Sequence, residues 1–207
     1  LAELYDPHNS SLTPISYPSG QERTVASAGI LATLRDGRVL MVGPDVTKLF
    51  DPVTRTFSDA DQSSKHWPNT TFEPPPPILA NGDVLLGRID KQKEIYRPVR
   101  GGKGQWVQVD NCGEPGQFCE VLASLSDGTA FAHTRTATSP NPSTGKTFLL
   151  QMKDGRWTWR SAATTLKPTS GGAGALLDPR FGRCNPTNCG KVLVAGSTAQ
   201  LYQPPGP

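Results

Sequence analysis

Four cysteines are the residues whose spacing points most directly to chemistry, and they form two local pairs. Cys112 and Cys119 bracket the segment GEPGQF, and Cys184 and Cys189 bracket NPTN. Because both segments are rich in turn-forming residues, the spacing favours the disulfides Cys112–Cys119 and Cys184–Cys189. Free thiols and a metal site are the alternatives, although zinc ligands more usually follow C-x₂₋₄-C spacing. Disulfides persist in oxidising compartments, so the pairs predict a secreted, extracellular or cell-surface protein.

Other residues that could support catalysis are scattered. The carboxylates of Asp59 and Asp61 lie in a polar connection that is typical of a solvated loop. No helical pattern follows Gly101–Gly104, which favours a hairpin turn over a phosphate-binding loop. Motifs of serine hydrolases, zinc proteases and P-loop proteins are absent from the sequence, which predicts no enzyme, no cofactor and no metal site. The only histidines lie in three different segments: His8, His66 and His133.

Charge and hydropathy exclude further classes of protein. The net charge is +3 and the basic residues are spread along the chain, apart from Lys91–Lys93, so nucleic-acid binding is not predicted. No apolar run is long enough to span a membrane. The start, LAELYDP, lacks an initiator Met and an apolar signal region, which predicts a processed or truncated terminus. Sequons at Asn9 and Asn69 are compatible with glycosylation.

Short strands are the elements that must position these residues. The 21 glycines and 20 prolines leave little room for long helices and exclude an all-α fold. A unit of about 50 residues repeats along the chain, and its first two apolar runs flank an Asp-Gly or Asn-Gly pair. These pairs predict two-residue hairpin turns, because Gly and Asn tolerate positive φ. The turns are expected at three positions: Asp36–Gly37, Asn81–Gly82 and Asp127–Gly128.

Two further strands complete each unit. The third carries a motif such as LFDP at Leu49–Pro52, and the fourth carries an aromatic residue that would cover the outer edge of the core. The first two strands are continuously apolar, which predicts that they lie between neighbouring sheets. The aromatic residues of the fourth strands are Phe57, Trp106, and Trp157 together with Trp159.

This unit resembles the repeat of kelch-type β-propellers, in particular the bacterial and galactose-oxidase-like variety. The best matches are DGRVLMVG at Asp36–Gly43 with Leu49–Pro52, and KVLVAG at Lys191–Gly196 with LYQP at Leu201–Pro204. The Gly pair that usually follows the second strand is degraded, for example to Gly43–Pro44. The resemblance covers essentially the whole chain and implies an all-β fold of four-stranded antiparallel blades. The implied boundaries are a partial blade at 1–20 and blades at about 21–66, 67–112, 113–165 and 166–207.

The number of strands predicts an incomplete ring. The units supply about 17 strands, or about four blades plus partial ones, whereas a six-bladed propeller needs about 24. Residues 1–207 are therefore expected to form a single propeller domain or a propeller segment, completed by another polypeptide or a second copy. The apolar faces of the end blades, including Leu4, Leu193 and Val194, would otherwise be open. A four-bladed ring whose ends share a blade, and an irregular β fold, are the alternatives.

Two functions are compatible with the resemblance. Kelch scaffolds include copper radical oxidases, whose site combines tyrosines, a cysteine attached to one tyrosine, and two histidines. Three of the four tyrosines here share one repeat position, the LYDP-like strand, which indicates a structural role. The preferred hypothesis is a non-enzymatic extracellular interaction or scaffold module, and the alternative is a segment of such an oxidase whose ligands lie outside this chain. The tyrosines are Tyr5, Tyr17, Tyr96 and Tyr202.

A binding surface is expected on the loops at one end of the channel, namely those that join strands two and three and those that join blades. The ligand would be a protein or a glycan. Aromatic and charged residues on supported loops are the types that anchor interfaces. The candidate residues are Arg23, Asp45, His66, Trp67, Arg88, Asp90, Phe118, His133 and Arg135.

Overall fold

The computed structural model describes residues 2–17, 29–44, 46–63, 76–87, 93–113, 117–136, 145–166, 173–177, 187–195 and 199–204. Within these ranges the chain is all-β and contains no helix, as the sequence predicts at the level of fold class. No described helix is long and apolar enough to cross a membrane. The described strands form five small antiparallel sheets, in which strands that follow one another in sequence are neighbours.

The five sheets follow the repeats in order. Sheet 1 contains β1 (Ala2–Asp6) and β2 (Ser11–Ile15), and sheet 2 contains β3 (Ile30–Thr33), β4 (Val39–Val42), β5 (Thr47–Asp51) and β6 (Thr56–Asp59). Sheet 3 contains β7 (Val84–Leu86), β8 (Lys93–Arg97) and β9 (Gln105–Val109). Sheet 4 contains β10 (Gln117–Ser124), β11 (Ala130–Thr136), β12 (Gly145–Lys153) and β13 (Arg156–Leu166). Sheet 5 contains β14 (Ala173–Leu176), β15 (Val192–Ala195) and β16 (Ala199–Tyr202).

Among the residues that the structure describes, sheet 3 has three strands and not the first strand that the repeat predicts. In its place Ile78 forms a single bridge to Val84, and the Leu85 N–H donates to the Pro77 carbonyl oxygen at 3.0 Å. Prolines precede Ile78, and a proline has no N–H with which to extend a ladder. The predicted strand is thereby reduced to a bridge.

The chain divides into two compact units. One consists of Leu1–Pro76 and Tyr96–Trp106, and the other of Pro77–Ile95 and Val107–Pro207. Sheet 3 contributes residues to both units, whereas sheets 1 and 2 belong to the first unit and sheets 4 and 5 to the second.

The first hairpins lie where the sequence predicts but differ in loop type. In sheet 2 the Leu34 N–H donates to the Arg38 carbonyl (2.7 Å), and the Gly37 N–H donates to the Leu34 carbonyl (3.0 Å). These bonds enclose three loop residues rather than two, and only Gly37 has positive φ, at 90°. The Asp36 Oδ1 instead accepts the Arg38 N–H at 3.1 Å. The aspartate therefore stabilises the turn through its side chain, and the glycine supplies the left-handed conformation.

The same closure recurs in the later repeats. The Leu79 N–H donates to the Asp83 carbonyl, and the Gly82 N–H donates to the Leu79 carbonyl. Leu125 makes the same two bonds, with Thr129 and Gly128. In the fourth repeat, Leu177 pairs with Lys191 and with Gly190 in the same way, and Gly190 has a φ of 79°. The insertion between Leu177 and Gly190 therefore leaves the closure of the hairpin unchanged.

Sheets 3 and 4 share one apolar cluster in the second unit, and sheets 4 and 5 share another. Leu85 and Ile95 pack with Val121, Ala130 and Ala132 of sheet 4. The opposite face of sheet 4 packs on sheet 5 through a second cluster: Leu122, Phe131 and Leu149 meet Val192, Val194 and Tyr202. Because side chains alternate along a strand, each sheet in the middle of such a stack needs apolar residues on both faces.

A buried side-chain contact also links sheet 4 to the second hairpin. The Trp157 Nε1–H donates to the Asp83 carboxylate at 3.0 Å, and both side chains are buried. Asp83 follows Asn81–Gly82 directly, so the turn and the tryptophan fix each other's positions.

In the first unit, Arg38 holds the segment that precedes β9. Its guanidinium donates to the carbonyl oxygens of Gly102 (3.0 Å) and Val99 (2.8 Å) and pairs with Asp36 at 2.7 Å. The Tyr96 hydroxyl donates to the Lys103 carbonyl at 2.6 Å. These contacts hold the segment through backbone carbonyls, so its position depends little on its own side chains.

Replacing Gly128 by Ala should destabilise the protein far more than the same change at Gly37. Both glycines have positive φ, which costs about 1–2 kcal/mol for alanine. A methyl group at Gly128 would also overlap Ala80, whereas nothing lies within 4 Å of a methyl group at Gly37. We expect Gly128→Ala to lower the free energy of unfolding by about 3 kcal/mol or more. Urea unfolding of the two variants measures the difference, and equal losses would contradict it.

Tyr96 should make the stability depend on alkaline pH. Burial raises the pKa of its hydroxyl to about 12, above the ordinary value of 10. The folded state therefore holds this proton more tightly than the unfolded state. The stabilisation is complete below about pH 10 and declines as the pH rises towards about 12. Urea midpoints measured across this range should fall less steeply in Tyr96→Phe than in the wild type, and parallel curves would contradict the assignment.

Candidate functional site

Three of the nine predicted binding residues lie in described strands, and all three lie in β10 and β11. Phe118 and Arg135 are directly opposite each other in the register, and Glu120 is opposite His133. The other six predicted residues lie outside the described residues, and their grouping stays a prediction: Arg23, Asp45, His66, Trp67, Arg88 and Asp90.

His133 is buried rather than displayed to solvent. Its imidazole Nε2 lies 2.9 Å from the Glu120 Oε2, and the two side chains are 3% and 6% exposed. A buried carboxylate needs a hydrogen-bond partner, and the imidazole supplies it. The pair links the middle of β10 to the middle of β11, which indicates a structural role for His133.

Tyr17, Tyr202 and the asparagine of the first sequon also contact neighbouring residues. Tyr202 stacks on Phe131 with ring centroids 4.1 Å apart, and Tyr17 lies 4.9 Å from Phe57. Asn9 lies in the exposed turn between β1 and β2, where its Oδ1 accepts the Ser11 N–H at 2.9 Å. Asn69 lies outside the described residues. Within the described ranges, no three His, Cys, Asp or Glu side chains are grouped as metal ligands.

The predicted disulfide Cys112–Cys119 is confirmed. Its Cα atoms are 5.4 Å apart, and both cysteines are buried in the apolar cluster between sheets 3 and 4. Such a bond persists in an oxidising environment. The second predicted pair includes Cys184, which lies outside the described residues, and it stays a prediction; the described part of the chain has no free cysteine.

This disulfide connects the two described ends of the joining segment, by which we mean residues 110–119, from the residue after β9 to the third residue of β10. The Asn111 Nδ2–H donates to the Gln117 carbonyl oxygen at 3.1 Å, across the base of the segment. At its start, the Asp110 carbonyl oxygen accepts the Trp159 Nε1–H at 2.7 Å. The disulfide and the Asn111 hydrogen bond join the two described ends of the segment to each other, and the Trp159 hydrogen bond ties its start to β13.

The tryptophan contact follows a rule of the repeat. Trp106 occupies the position of Trp159 one repeat earlier, and its Nε1–H donates to the Asp61 carbonyl oxygen at 2.7 Å. Asp61 lies two residues after the end of β6, and Asp110 lies one residue after the end of β9. A fourth-strand tryptophan therefore anchors the start of a connection twice in the chain, once in each unit.

A pocket of about 370 Å³ opens beside the joining segment, within the size range of small-molecule sites. The joining segment contributes Asn111, Cys112, Gly113 and Gln117, strand β12 contributes Lys146 and Phe148, and strand β13 contributes Trp159 and Ser161. Trp159 and Phe148 also pack against the apolar cluster of sheets 3 and 4, so the aromatic wall has a rigid support.

One buried polar atom of the joining segment is left without a partner. The Asn111 Oδ1 is buried and has no hydrogen-bond partner among the residues that the structure describes. A buried acceptor without a donor costs free energy, and such atoms are rare in folded proteins. Because this oxygen is buried, it is not part of the accessible surface of the pocket.

The pocket residues were not predicted from the sequence. The cysteine pair of the joining segment is evident in the sequence and predicts a disulfide there, but not a pocket. Trp159 was predicted only to cover the outer edge of the core. Asn111, Lys146 and Ser161 belong to common surface types, and their grouping depends on contacts between β12, β13 and the joining segment. No pattern along the chain reveals such a grouping.

Neither protein-family models nor curated proteins provide a match to this chain.

Removing the disulfide should destabilise the protein measurably. For a loop closed by residues seven apart, the chain-entropy model gives about 2 kcal/mol. We therefore expect Cys112→Ala with Cys119→Ala to lower the free energy of unfolding by at least about 2 kcal/mol, since both positions are also buried. Urea unfolding without reductant measures the loss, and an unchanged midpoint would contradict the role given to this bond.

Proposed function

We propose that this protein is a non-enzymatic extracellular interaction module built on kelch-like propeller blades, which binds protein or glycan through loops at one end of the channel. Its last blade, sheet 5, would dock against a further blade. The observation that carries the proposal is the exposed apolar face of sheet 5. The disulfide supports an extracellular location, because the bond needs an oxidising environment.

The repeat itself indicates that this face is normally covered. Leu49, Ile95, Leu149 and Leu201 occupy one position of successive repeats, and the first three are 1%, 0% and 2% exposed. Leu201 is 47% exposed. The same contrast holds for the residues opposite them in the register: Leu40 and Phe131 are both 0% exposed, and Leu193 is 36% exposed.

Sheet 5 already uses its other face. Val192, Val194 and Tyr202 are at most 2% exposed and pack against sheet 4. Leu193 and Leu201 are opposite each other and point away from that contact, with the small, exposed residues Ala175 and Ala195 beside them. The face is thus flat and apolar, of the kind that a second β-sheet covers.

The partner that this face fits is a blade of the same repeat. In the contact between sheets 4 and 5, Phe131 at the Leu193 position meets Tyr202, with ring centroids 4.1 Å apart. Tyr5 occupies the Tyr202 position in the first repeat and is 61% exposed, and Leu12, opposite it, is 59% exposed. A second copy therefore offers the type of residue that covers this position, and in the purified chain it is the partner we expect.

The purified chain should associate through this face. Its mass is 22.2 kDa, and sedimentation velocity at micromolar concentration should give a larger particle. Leu193→Arg with Leu201→Arg should dissociate it, because two charges would then have to be buried in the interface.

Val53→Arg serves as the matched control. Val53 is 90% exposed in a turn, so an arginine there should leave the mass of the particle unchanged. A wild-type chain that stays a monodisperse 22.2 kDa particle, or a double arginine variant that associates as the wild type does, would refute docking through sheet 5.

A further inference from the structure

The outer edge of sheet 5 offers a docking position that is distinct from the apolar face of this sheet. We infer that β16 accepts an extended peptide of a partner protein as a fourth strand, with acidic side chains of the peptide facing Arg160 on β13 and apolar side chains beside Leu201. Strand addition of this kind uses the backbone edge of sheet 5 and does not depend on the docking of a second copy on its face.

The third strand of sheet 5 has a neighbour on only one side. In sheets 2, 3 and 4 the third strand lies between two others, whereas β16 pairs with β15 alone among the residues that the structure describes. Successive residues of an antiparallel strand bond alternately to its two sides, so about half of the backbone groups of Ala199–Tyr202 point to the open edge. Such an edge is a template for an added strand.

The contact between sheets 3 and 4 shows where a fourth strand packs. Val109 of β9 and Trp157 of β13 are buried in the cluster that these two sheets share. Val107 and Trp159, on the same two strands, pack against that cluster. The fourth strands of neighbouring sheets thus belong to one packed cluster, and a fourth strand of sheet 5 would cover the opposite face of β13.

That opposite face of β13 is only partly covered by the described residues. Ala162 is buried against sheet 5, whereas Arg160 and Thr158, which alternate with it on the same face, are exposed. In the register of sheet 4, Arg160 lies two strands outward from Phe131, which stacks on Tyr202 of β16. Burial raises the pKa of the Tyr202 hydroxyl and the charge of Arg160 opposes that rise, in agreement with this position. A strand added to β16 would therefore pass close to Arg160.

The charge of this face selects an acidic peptide. Lys153 and Arg156 are opposite each other on the same face as Arg160, and all three side chains are exposed. The Arg160 Nε–H donates to the Gln151 Oε1 at 2.8 Å, and no carboxylate pairs with this guanidinium among the described residues. The one acidic residue of the β12–β13 hairpin is Asp154, in its turn, and the strands of sheet 5 carry no charge. Carboxylates on the added strand would supply the missing counter-charge.

The two faces of sheet 5 specify the pattern of the peptide. A peptide residue opposite Tyr202 would point to the same side as Tyr202, towards β13 and its arginines. A peptide residue opposite Leu201 would instead extend the exposed apolar face that Leu193 and Leu201 form. The peptide that fits therefore alternates acidic and apolar residues, and it lacks proline within the strand.

Fluorescence anisotropy of labelled peptides on the purified chain tests strand addition. The probe TVEVEVT has the required alternation. TVKVKVT reverses its charge, and TVEPEVT keeps the charge but contains a proline, which lacks an N–H and disfavours a strand interior. We expect saturable binding of TVEVEVT and dissociation constants at least about tenfold higher for the other two peptides.

A pair of protein variants tests the contact with β13. Arg160→Glu should raise the dissociation constant of TVEVEVT at least about tenfold and should bind TVKVKVT more tightly than the wild type does, because the charge facing the added strand is reversed. Arg100→Glu is the matched control, since Arg100 is exposed in a turn of the first unit and the change of net charge is the same. If Arg160→Glu fails to fold, as judged by circular dichroism, the three peptides on the wild-type chain decide.

Three results would overturn strand addition: no binding of TVEVEVT, equal binding of the proline peptide, or binding to a folded Arg160→Glu variant that matches the wild type. None of them affects docking through the face of sheet 5, which is measured by sedimentation. A chain that associates through Leu193 and Leu201 but binds none of the peptides would disprove strand addition only. A monomeric 22.2 kDa chain that binds TVEVEVT would support strand addition and refute the docking of a second copy.

Discussion

The fold depends on a glycine in the left-handed region at the first hairpin of each repeat. Gly37, Gly82, Gly128 and Gly190 have φ between 79° and 91°. Each donates its N–H to the carbonyl oxygen of a leucine, which lies three residues back in the first three repeats and before the insertion in the fourth. The side chains of a strand alternate between its two faces, so the closure of this loop decides which residues reach which face. A shift of one residue would turn Leu40 away from the core and bring Met41 into its place.

Once the register is fixed, the sheets need complementary faces in order to stack. In the second unit, the larger residues Leu85 and Ile95 of sheet 3 meet the small residues Ala130 and Ala132 of sheet 4. The opposite face of sheet 4 carries Phe131, which stacks on Tyr202. Large residues therefore fill the space that small ones leave, as close packing of two sheets requires. At the positions of Phe131 and Leu149, the exposed face of sheet 5 carries Leu193 and Leu201.

Features that depend on local sequence were predictable, and features that depend on contacts between repeats were not. The hairpins at Gly37, Gly82 and Gly128 and the Cys112–Cys119 bond follow from neighbouring residues. The turn at Gly190 did not, because the insertion after Leu177 separates the residues that close it. The bond between His133 and Glu120 was also missed, since the two residues are brought together only by the pairing of β10 with β11.

The connections that follow β6 and β9 begin in the same way but differ in how the amide side chain after the anchored aspartate is bonded. Trp106 and Trp159 anchor equivalent carbonyl groups, so both junctions begin from the same backbone position. At the first junction Gln62 is long enough to return to the backbone of Thr47, and its amide is satisfied within the repeat. Asn111 is shorter by one methylene and bonds within its own segment, which leaves its oxygen buried without a partner. The free energy that this unsatisfied atom costs is offset by the packing of the neighbouring repeats, because the stability of a repeat protein is approximately a sum over its repeats and their interfaces.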